Sequence, residues 1–89
     1  MATVHLAISG KVQGVFYRAS AKEKAMELQL SGWVKNTIDG GVEATVSGTE
    51  EAVNAFIEWC KVGPPRAQVK DVVVTPKPDS GLQGFEVIR

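Results

Sequence analysis

The chain has 89 residues, of which 44% are hydrophobic and 22% are charged. This composition is typical of one small globular domain and excludes a disordered or fibrous protein. Ten basic and ten acidic residues cancel, so the chain lacks the excess positive charge that attracts nucleic acid or a membrane surface. Cys60 is the only cysteine, which excludes an internal disulfide and favours a reducing compartment.

A strand and a helix are the first two predicted elements. Apolar and polar residues alternate over residues 4–8, which predicts a strand with one buried face. Residues 16–30 contain neither Gly nor Pro and predict a helix whose apolar stripe includes Ala21 and Ala25. The Ser-Gly pair at residues 31–32 ends this helix.

A hairpin and a second helix follow. Two short strand patterns, residues 32–38 and 42–48, flank the turn sequence Asp-Gly-Gly at residues 39–41. The second helix is predicted to begin after Thr49, a favourable N-cap residue, and to stop at Gly63.

The second helix has the pattern of an ordinary surface helix. Glu50 and Glu51 occupy its first turn, where the helix dipole favours negative charge. Its predicted buried face consists of Val53, Phe56, Ile57 and Cys60. Residues 69–74 and 85–88 predict two further strands.

The order of elements is β-α-β-β-α-β plus a short terminal strand. This order predicts an α+β, ferredoxin-like split βαβ sandwich for a single domain of residues 1–89. We expect an antiparallel sheet with two helices on one face. The first helix returns the chain between the first two strands, so these strands run in the same direction with a later strand between them. The end of strand 1, the start of helix 1 and the end of strand 2 then lie at one edge of the sheet.

The loop sequence GKVQGVFYR, residues 10–18, places Arg18 in the first turn of helix 1. A cation is normally unfavourable there, because unpaired N–H groups already make this end of a helix positive. Gly10 and Gly14 relax the backbone, so several N–H donors can surround one anion. The planar guanidinium of Arg18 would then bind the same phosphate or carboxylate. An exposed arginine that points away from the loop is the alternative.

Asn36 lies in the second strand with the same parity as Val34 and Ile38. If those two residues face the core, Asn36 is an amide on the buried face and needs hydrogen-bond partners. Both a satisfied structural amide and a functional side chain fit this pattern. Its place at the edge of the sheet that carries Arg18 favours a functional site.

The other reactive residue types have structural explanations. His5 lies early in strand 1, away from the loop, and is expected to face solvent. Cys60 lies on an apolar helix face and is expected in the core. One His and one Cys cannot form a zinc site with the usual ligand spacing. The large aromatic residues are assigned to packing, namely Trp33, Trp59 and Phe85.

From end to end, the chain resembles the acylphosphatase family. The resemblance rests on GKVQGVFYR (10–18), SGWVKN (31–36), DGGVEATVSG (39–48), WCKVGPPRAQV (59–69) and GFEVIR (84–89). Tyr17, Gln29 and Ile38 depart from the residues common in the family at these positions. None of these departures touches the chemistry that the resemblance implies.

The resemblance implies hydrolysis of an acyl phosphate to a carboxylate and inorganic phosphate, without metal or cofactor. It assigns phosphate binding to Arg18 and orientation of the attacking water to Asn36. The remaining phosphate oxygens would be held by the backbone N–H groups of Gly14, Val15, Phe16, Tyr17 and Arg18. A carboxylate, whose conjugate acid has a pKa near ~4, leaves without protonation, which suits a site with no evident general acid.

Two other classes of function share this order of elements. The first is a non-catalytic, anion-binding regulatory domain, such as a segment of a larger maturation factor. We do not expect such a segment, because the chain starts at Met1 and ends just after its last strand. A single-strand RNA binder needs exposed aromatic residues on its central strands, and VHLAISG and VEATVSG contain none.

We therefore expect a small-molecule acyl phosphate as the partner of this chain, and neither a nucleic acid nor a membrane. We also expect a monomer. The N-terminal residues lack the charged lead and apolar run of a signal peptide, and no apolar stretch reaches 18 residues. These features predict a cytoplasmic protein.

Overall fold

The computed structural model describes residues 1–79 and 81–88, so Arg89, the last residue of the closing motif, lies outside the described residues. In chain order the elements are β1 (Ala2–Lys11), α1 (Tyr17–Glu27), β2 (Ser31–Asn36), β3 (Val42–Gly48), α2 (Glu50–Val62), β4 (Gln68–Pro76) and β5 (Phe85–Ile88). This is the predicted order. In the described part of the chain, neither helix has the length and apolar character needed to cross a membrane.

The strands form one sheet in the order β4-β1-β3-β2-β5. β3 lies between β1 and β2 and is antiparallel to both, so β1 and β2 run in the same direction. β4 pairs antiparallel with the outer side of β1. These four strands and the two helices have the predicted ferredoxin-like arrangement.

The last strand makes the sheet mixed rather than wholly antiparallel as predicted. β5 pairs with β2 in parallel, with Phe85 opposite Gly32 and Ile88 opposite Lys35. The chain leaves β4 at one edge of the sheet and crosses to the other edge, where the Gly32 N–H donates to the Gly84 carbonyl at 2.8 Å. β5 therefore starts beside the start of β2 and runs with it.

Both helices cover the same face of the sheet and enclose one core. The sheet contributes alternating residues of β1, β2 and β3, and the helices contribute one face each. The buried helix residues are Tyr17, Ala21 and Ala25 of α1 and Val53, Phe56 and Cys60 of α2. Aromatic packing extends this core as predicted, because the Phe56 ring lies 6.4 Å from that of Phe85 and 6.1 Å from that of Trp59.

The helix α1 ends at Glu27, three residues before the predicted end, in a hydrogen-bonded reversal. The Gln29 N–H donates to the Met26 carbonyl at 3.1 Å, and the Leu30 N–H donates to the Ala25 carbonyl at 2.8 Å. This is the Schellman pattern, which requires a left-handed residue after the helix. Gln29 occupies that position with φ 58°. Composition alone extended the helix because Gln and Leu are good helix formers.

The face of the sheet opposite the helices carries polar and aromatic side chains. Glu43 lies between His5 and Lys35. One of its carboxylate oxygens is 3.3 Å from His5 Nε2 and the other is 3.2 Å from Lys35 Nζ. The Lys35 ammonium also lies 5.6 Å from the centre of the Trp33 ring. His5 is therefore half-buried and paired rather than freely facing solvent, and Trp33 packs on this face instead of in the core.

Candidate active site

An open cleft of about 1200 Å³ lies at the end of the sheet where β1, β2 and β5 finish. It is bounded by the loop of residues 12–16, which we call the β1–α1 loop, by the first turns of α1 and by the last residues of β2 and β5. Arg18 and Asn36 both line this cleft. The fold thus brings together the two side chains that the sequence singled out.

The β1–α1 loop is anchored on both sides of its exposed tip. Val12 and Val15 are buried, whereas Gly14 between them is exposed and has φ 73°. Tyr17 is buried as well, and its hydroxyl donates to the Cys60 carbonyl at 2.7 Å. This hydrogen bond joins the first residue of α1 to α2. Together with the buried valines, it fixes the position of the backbone N–H groups of the loop.

The N-terminus of α1 has no side-chain cap. Phe16 occupies the N-cap position in the left-handed region, with φ 63°, and offers no acceptor to the first N–H groups. The first turn contains no acidic residue and carries Arg18 instead. The first N–H groups of a helix have no acceptor within the helix. This end of α1 therefore presents donors and positive charge to the cleft, an arrangement that can bind an anion.

Arg18 is half-buried and held by the last strand. Its Nη1 donates to the Ile88 carbonyl at 3.2 Å, so the side chain lies against β5 instead of pointing away from the protein. Among residues 1–79 and 81–88, no carboxylate lies within ion-pair distance of the guanidinium. The contact with Ile88 was not foreseen, because a backbone carbonyl leaves no mark in the sequence.

Asn36 is the last residue of β2 and is exposed, contrary to the interpretation that it lies on the buried face. Val34 is fully buried as assumed, but the strand ends before Ile38, which is fully exposed in the turn. The parity argument therefore fails at the end of the strand, because Ile38 lies two residues beyond it. The Asn36 carboxamide makes no hydrogen bond to any other described residue and is open to the cleft.

Gln13 connects the two halves of the cleft and was missed by sequence analysis. Its Nε2 donates to the carbonyls of Thr37 and Gly41, each at 2.8 Å. These two residues close the turn that follows Asn36. Gln13 therefore ties the β1–α1 loop to the segment that positions Asn36. Its place inside the loop motif was visible in the sequence, but its partners 24 and 28 residues away were not.

The turn after Asn36 is stabilised from within. Thr37 Oγ1 donates to Asp39 Oδ1, and the Gly41 N–H donates to Thr37 Oγ1 at 3.0 Å. The hydrogen bond from Thr37, assisted by the Gly41 N–H, lowers the pKa of the exposed Asp39 carboxyl. The turn therefore keeps an ionised carboxylate at its centre, which holds the end of β2 in place.

The other reactive side chains do not form a nucleophilic or metal site. Burial raises the pKa of the Cys60 thiol to about 12, and neither Cys60 nor His5 lines the cleft. In the described ranges, no three His, Cys, Asp or Glu side chains are grouped so that they could hold a metal ion. Two exposed carboxylates that sequence analysis did not single out, Glu23 and Glu86, line the cleft.

Comparison with known sequences identifies the family of this chain. The sequence pattern of the acylphosphatase family matches residues 4–87. An acylphosphatase of Haloquadratum walsbyi is 49% identical over 85 residues, which cover 96% of this chain and 91% of the relative.

Solved structures give the same result. An acylphosphatase from Bacillus subtilis has a TM-score of 0.96 at 36% identity and covers 100% of both chains. An acylphosphatase from Coxiella burnetii has a TM-score of 0.94 at 41% identity, covering 98% of this chain and 92% of that one. Each of these matches extends over nine-tenths or more of both proteins.

Proposed function

This chain belongs to the acylphosphatase family and hydrolyses the carboxyl–phosphate bond of acyl phosphates, and on that premise we propose the roles of its site residues. Arg18 and the N–H groups of residues 14–18 bind the phosphoryl group, and Asn36 orients the attacking water. The regulatory-domain alternative is not favoured, because the family pattern and the relatives named above are those of acylphosphatases.

The observation that carries the assignment of Arg18 is its place in an uncapped first turn that opens into the cleft. Because no carboxylate of the described residues lies within ion-pair distance of the guanidinium, its charge is available to a ligand. A phosphoryl group at this position accepts hydrogen bonds from the helix N–H groups and from the guanidinium together. Phosphoryl transfer depends mainly on positioning and charge stabilisation, which these groups supply.

Asn36 supports the second half of the proposal because its carboxamide faces the same cleft and makes no hydrogen bond to another residue of the described ranges. A carboxamide both donates and accepts, so it can hold a water molecule with one lone pair directed at phosphorus. The water oxygen forms a bond to phosphorus while the bond from phosphorus to the acyl oxygen breaks. The electron pair of that bond goes to the carboxylate, and the proton of the water goes to a phosphoryl oxygen.

The leaving group explains why this site needs no general acid. A departing carboxylate has a conjugate acid with a pKa near ~4, so it is stable without a proton at neutral pH. An alkoxide leaving group would need one. The proposed site therefore acts on acid anhydrides of phosphate and not on simple phosphate esters.

The last part of the proposal concerns the domain organisation, oligomeric state, location and partners of the protein. We infer that residues 1–89 act as a single domain and as a monomer in the cytoplasm, without a nucleic-acid partner. The balance of ten basic and ten acidic residues and the single buried cysteine support this inference. Light scattering at micromolar concentration measures the oligomeric state directly.

The test of the site assignments combines turnover with ligand binding. Hydrolysis of benzoyl phosphate is measured in the presence of a chelator, and binding of inorganic phosphate is measured by calorimetry. We expect Arg18→Ala to lose both activities and Arg18→Lys to recover little, because an ammonium does not reproduce the guanidinium fork. Asn36→Ala should abolish turnover yet keep most of the affinity for phosphate.

Asn54→Ala is the matched control, since Asn54 is an exposed asparagine of α2 that does not line the cleft. It should behave as wild type in both measurements. If Asn36→Ala lost phosphate affinity as completely as Arg18→Ala, the division of roles would be wrong. If wild type hydrolysed no acyl phosphate in chelator, the proposed mechanism itself would be rejected.

A further inference from the structure

Phe16 is an aromatic residue whose conformation and exposure are both unfavourable for stability. Its neighbours Val15 and Tyr17 are buried, whereas Phe16 itself is 75% exposed. Its backbone lies in the left-handed region, with φ 63°, where a residue with a Cβ is strained. Gln29, the other non-glycine residue of the described ranges in this region, closes a helix, whereas Phe16 lies at a cleft, and residues with strained backbones cluster at binding and catalytic sites.

The position of Phe16 indicates that use. Phe16 lines the same cleft as Arg18 and Asn36 and immediately precedes the first turn of α1. The proposed mechanism accounts for the phosphoryl group and the water, but it names no residue that recognises the acyl group. A substrate anchored at the N-terminus of α1 by its phosphoryl group has its acyl group in the remainder of the cleft, where Phe16 offers apolar surface.

We propose that Phe16 is a specificity-determining residue that contacts the acyl group of the substrate. It favours acyl phosphates with an aromatic or other large apolar acyl group over acetyl phosphate. This inference rests on the proposed function, since it concerns the acyl side of the same site. Contact between two aromatic rings, or between a ring and an aliphatic group, removes apolar surface of both from water.

A second exposed apolar residue near the site provides the competing explanation. Ile38 is fully exposed in the turn after Asn36 and lines a smaller neighbouring depression together with Lys35 and Asn36. It does not line the main cleft. If the acyl group lay on that side of Asn36, Ile38 and not Phe16 would determine the preference.

The experiment compares kcat/KM for benzoyl phosphate and acetyl phosphate in wild type and in variants. Two variants remove the ring, Phe16→Gly and Phe16→Asn. Glycine and asparagine both tolerate the left-handed backbone at this position. We expect the benzoyl-to-acetyl ratio to fall roughly 3- to 10-fold in both, the range of one aromatic contact. Ile38→Ala should leave the ratio unchanged. Met26→Ala is the distant control, because Met26 is 61% exposed at the other end of α1.

A binding measurement separates this inference from the proposed function. The affinity of phenylphosphonate relative to inorganic phosphate, measured by calorimetry, should fall by the same factor in both Phe16 variants. An unchanged ratio in these variants, a shift produced by Ile38→Ala, or an equal loss for both substrates would overturn the role of Phe16. A wild type that hydrolyses neither substrate would instead refute the proposed function, and the calorimetric ratio would still decide the role of Phe16.

Discussion

The two helices of this protein begin in opposite ways. α2 starts at Thr49, whose hydroxyl accepts a hydrogen bond from the Ala52 N–H at 3.1 Å, and its first turn carries Glu50 and Glu51. α1 starts at Phe16, which has no capping group, and its first turn carries Arg18 and no acidic residue. The backbone of each helix leaves the same N–H groups without partners, so the difference lies in what the sequence places beside them.

This comparison teaches that an unfavourable helix start can indicate a ligand site. A side-chain cap of the kind seen at α2 contributes about 1 kcal/mol, and an acidic first turn adds about 0.3–1 kcal/mol. α1 has neither contribution and opens into the cleft with its N–H groups uncapped. A bound phosphoryl group would accept hydrogen bonds from these N–H groups and so replace the missing side-chain cap.

The largest expected effect comes from giving α1 the charge pattern of α2. We expect Arg18→Glu to lower kcat/KM by at least about 10³-fold, because a carboxylate repels the phosphoryl group and the cation is lost. The free protein should keep its stability within about 1 kcal/mol. The improved dipole interaction offsets the loss of the hydrogen bond to the Ile88 carbonyl, since the two are of similar size.

Thermal unfolding and turnover measured on one preparation check this expectation. Inactive protein that unfolds near the wild-type temperature supports the comparison. A variant that unfolds far below wild type would instead mean that Arg18 is chiefly a structural residue.

Substitution of Gln13 tests whether catalysis requires the connection between the β1–α1 loop and the turn after Asn36. We expect Gln13→Ala to lower kcat about 10- to 100-fold and to weaken phosphate binding much less, because a small displacement of Asn36 disturbs the water more than the anion. Gln13→Glu should not restore activity, since a carboxylate has no donor for the two carbonyls. Steady-state kinetics and phosphate calorimetry measure the two effects. Gln83→Ala, at an exposed glutamine outside the cleft, is the control.

If Gln13→Ala kept a rate within twofold of wild type, the connection between loop and turn would have no role in catalysis. An equal loss of phosphate affinity and kcat would indicate that the whole loop had moved.

Removal of the cap of α2 should affect stability and leave activity unchanged. We expect Thr49→Ala to lower the free energy of unfolding by about 1 kcal/mol, because the Ala52 N–H loses its acceptor. For a domain of this size that corresponds to a fall in Tm of about 4–8 °C. Calorimetry measures the fall, and turnover well below Tm should match wild type. A loss of activity without a loss of stability would remove the contrast between the two helix starts.

The smallest effect is expected at the other end of α1. Gln29 has the left-handed conformation that the Schellman turn requires, at a cost that glycine avoids. After allowance for the greater freedom of glycine in the unfolded chain, we expect Gln29→Gly to stabilise the protein by about 0.5–1 kcal/mol. Calorimetry should show a Tm a few degrees higher with unchanged kcat/KM. A lower Tm would contradict the strain assigned to Gln29.

Local signals in the sequence determined much of this protein. The limits of α2 were predicted to the residue, because the cap at Thr49, the stop at Gly63 and the spacing of the apolar residues are all local. The order of elements and the shared direction of β1 and β2 followed from chain connectivity. That same connectivity placed Arg18 and Asn36 at one end of the sheet, where the cleft now holds both.

Only the tertiary structure decided the features that depend on distant partners. The parallel pairing of β5 arises from a crossover between the two edges of the sheet, and the exposure of Asn36 depends on where β2 stops. Gln13 and the carbonyl of Ile88 entered the site through contacts across 24 to 70 residues. Backbone carbonyls are identical at every position, so a sequence cannot show which of them a side chain will reach until the strands have found their register.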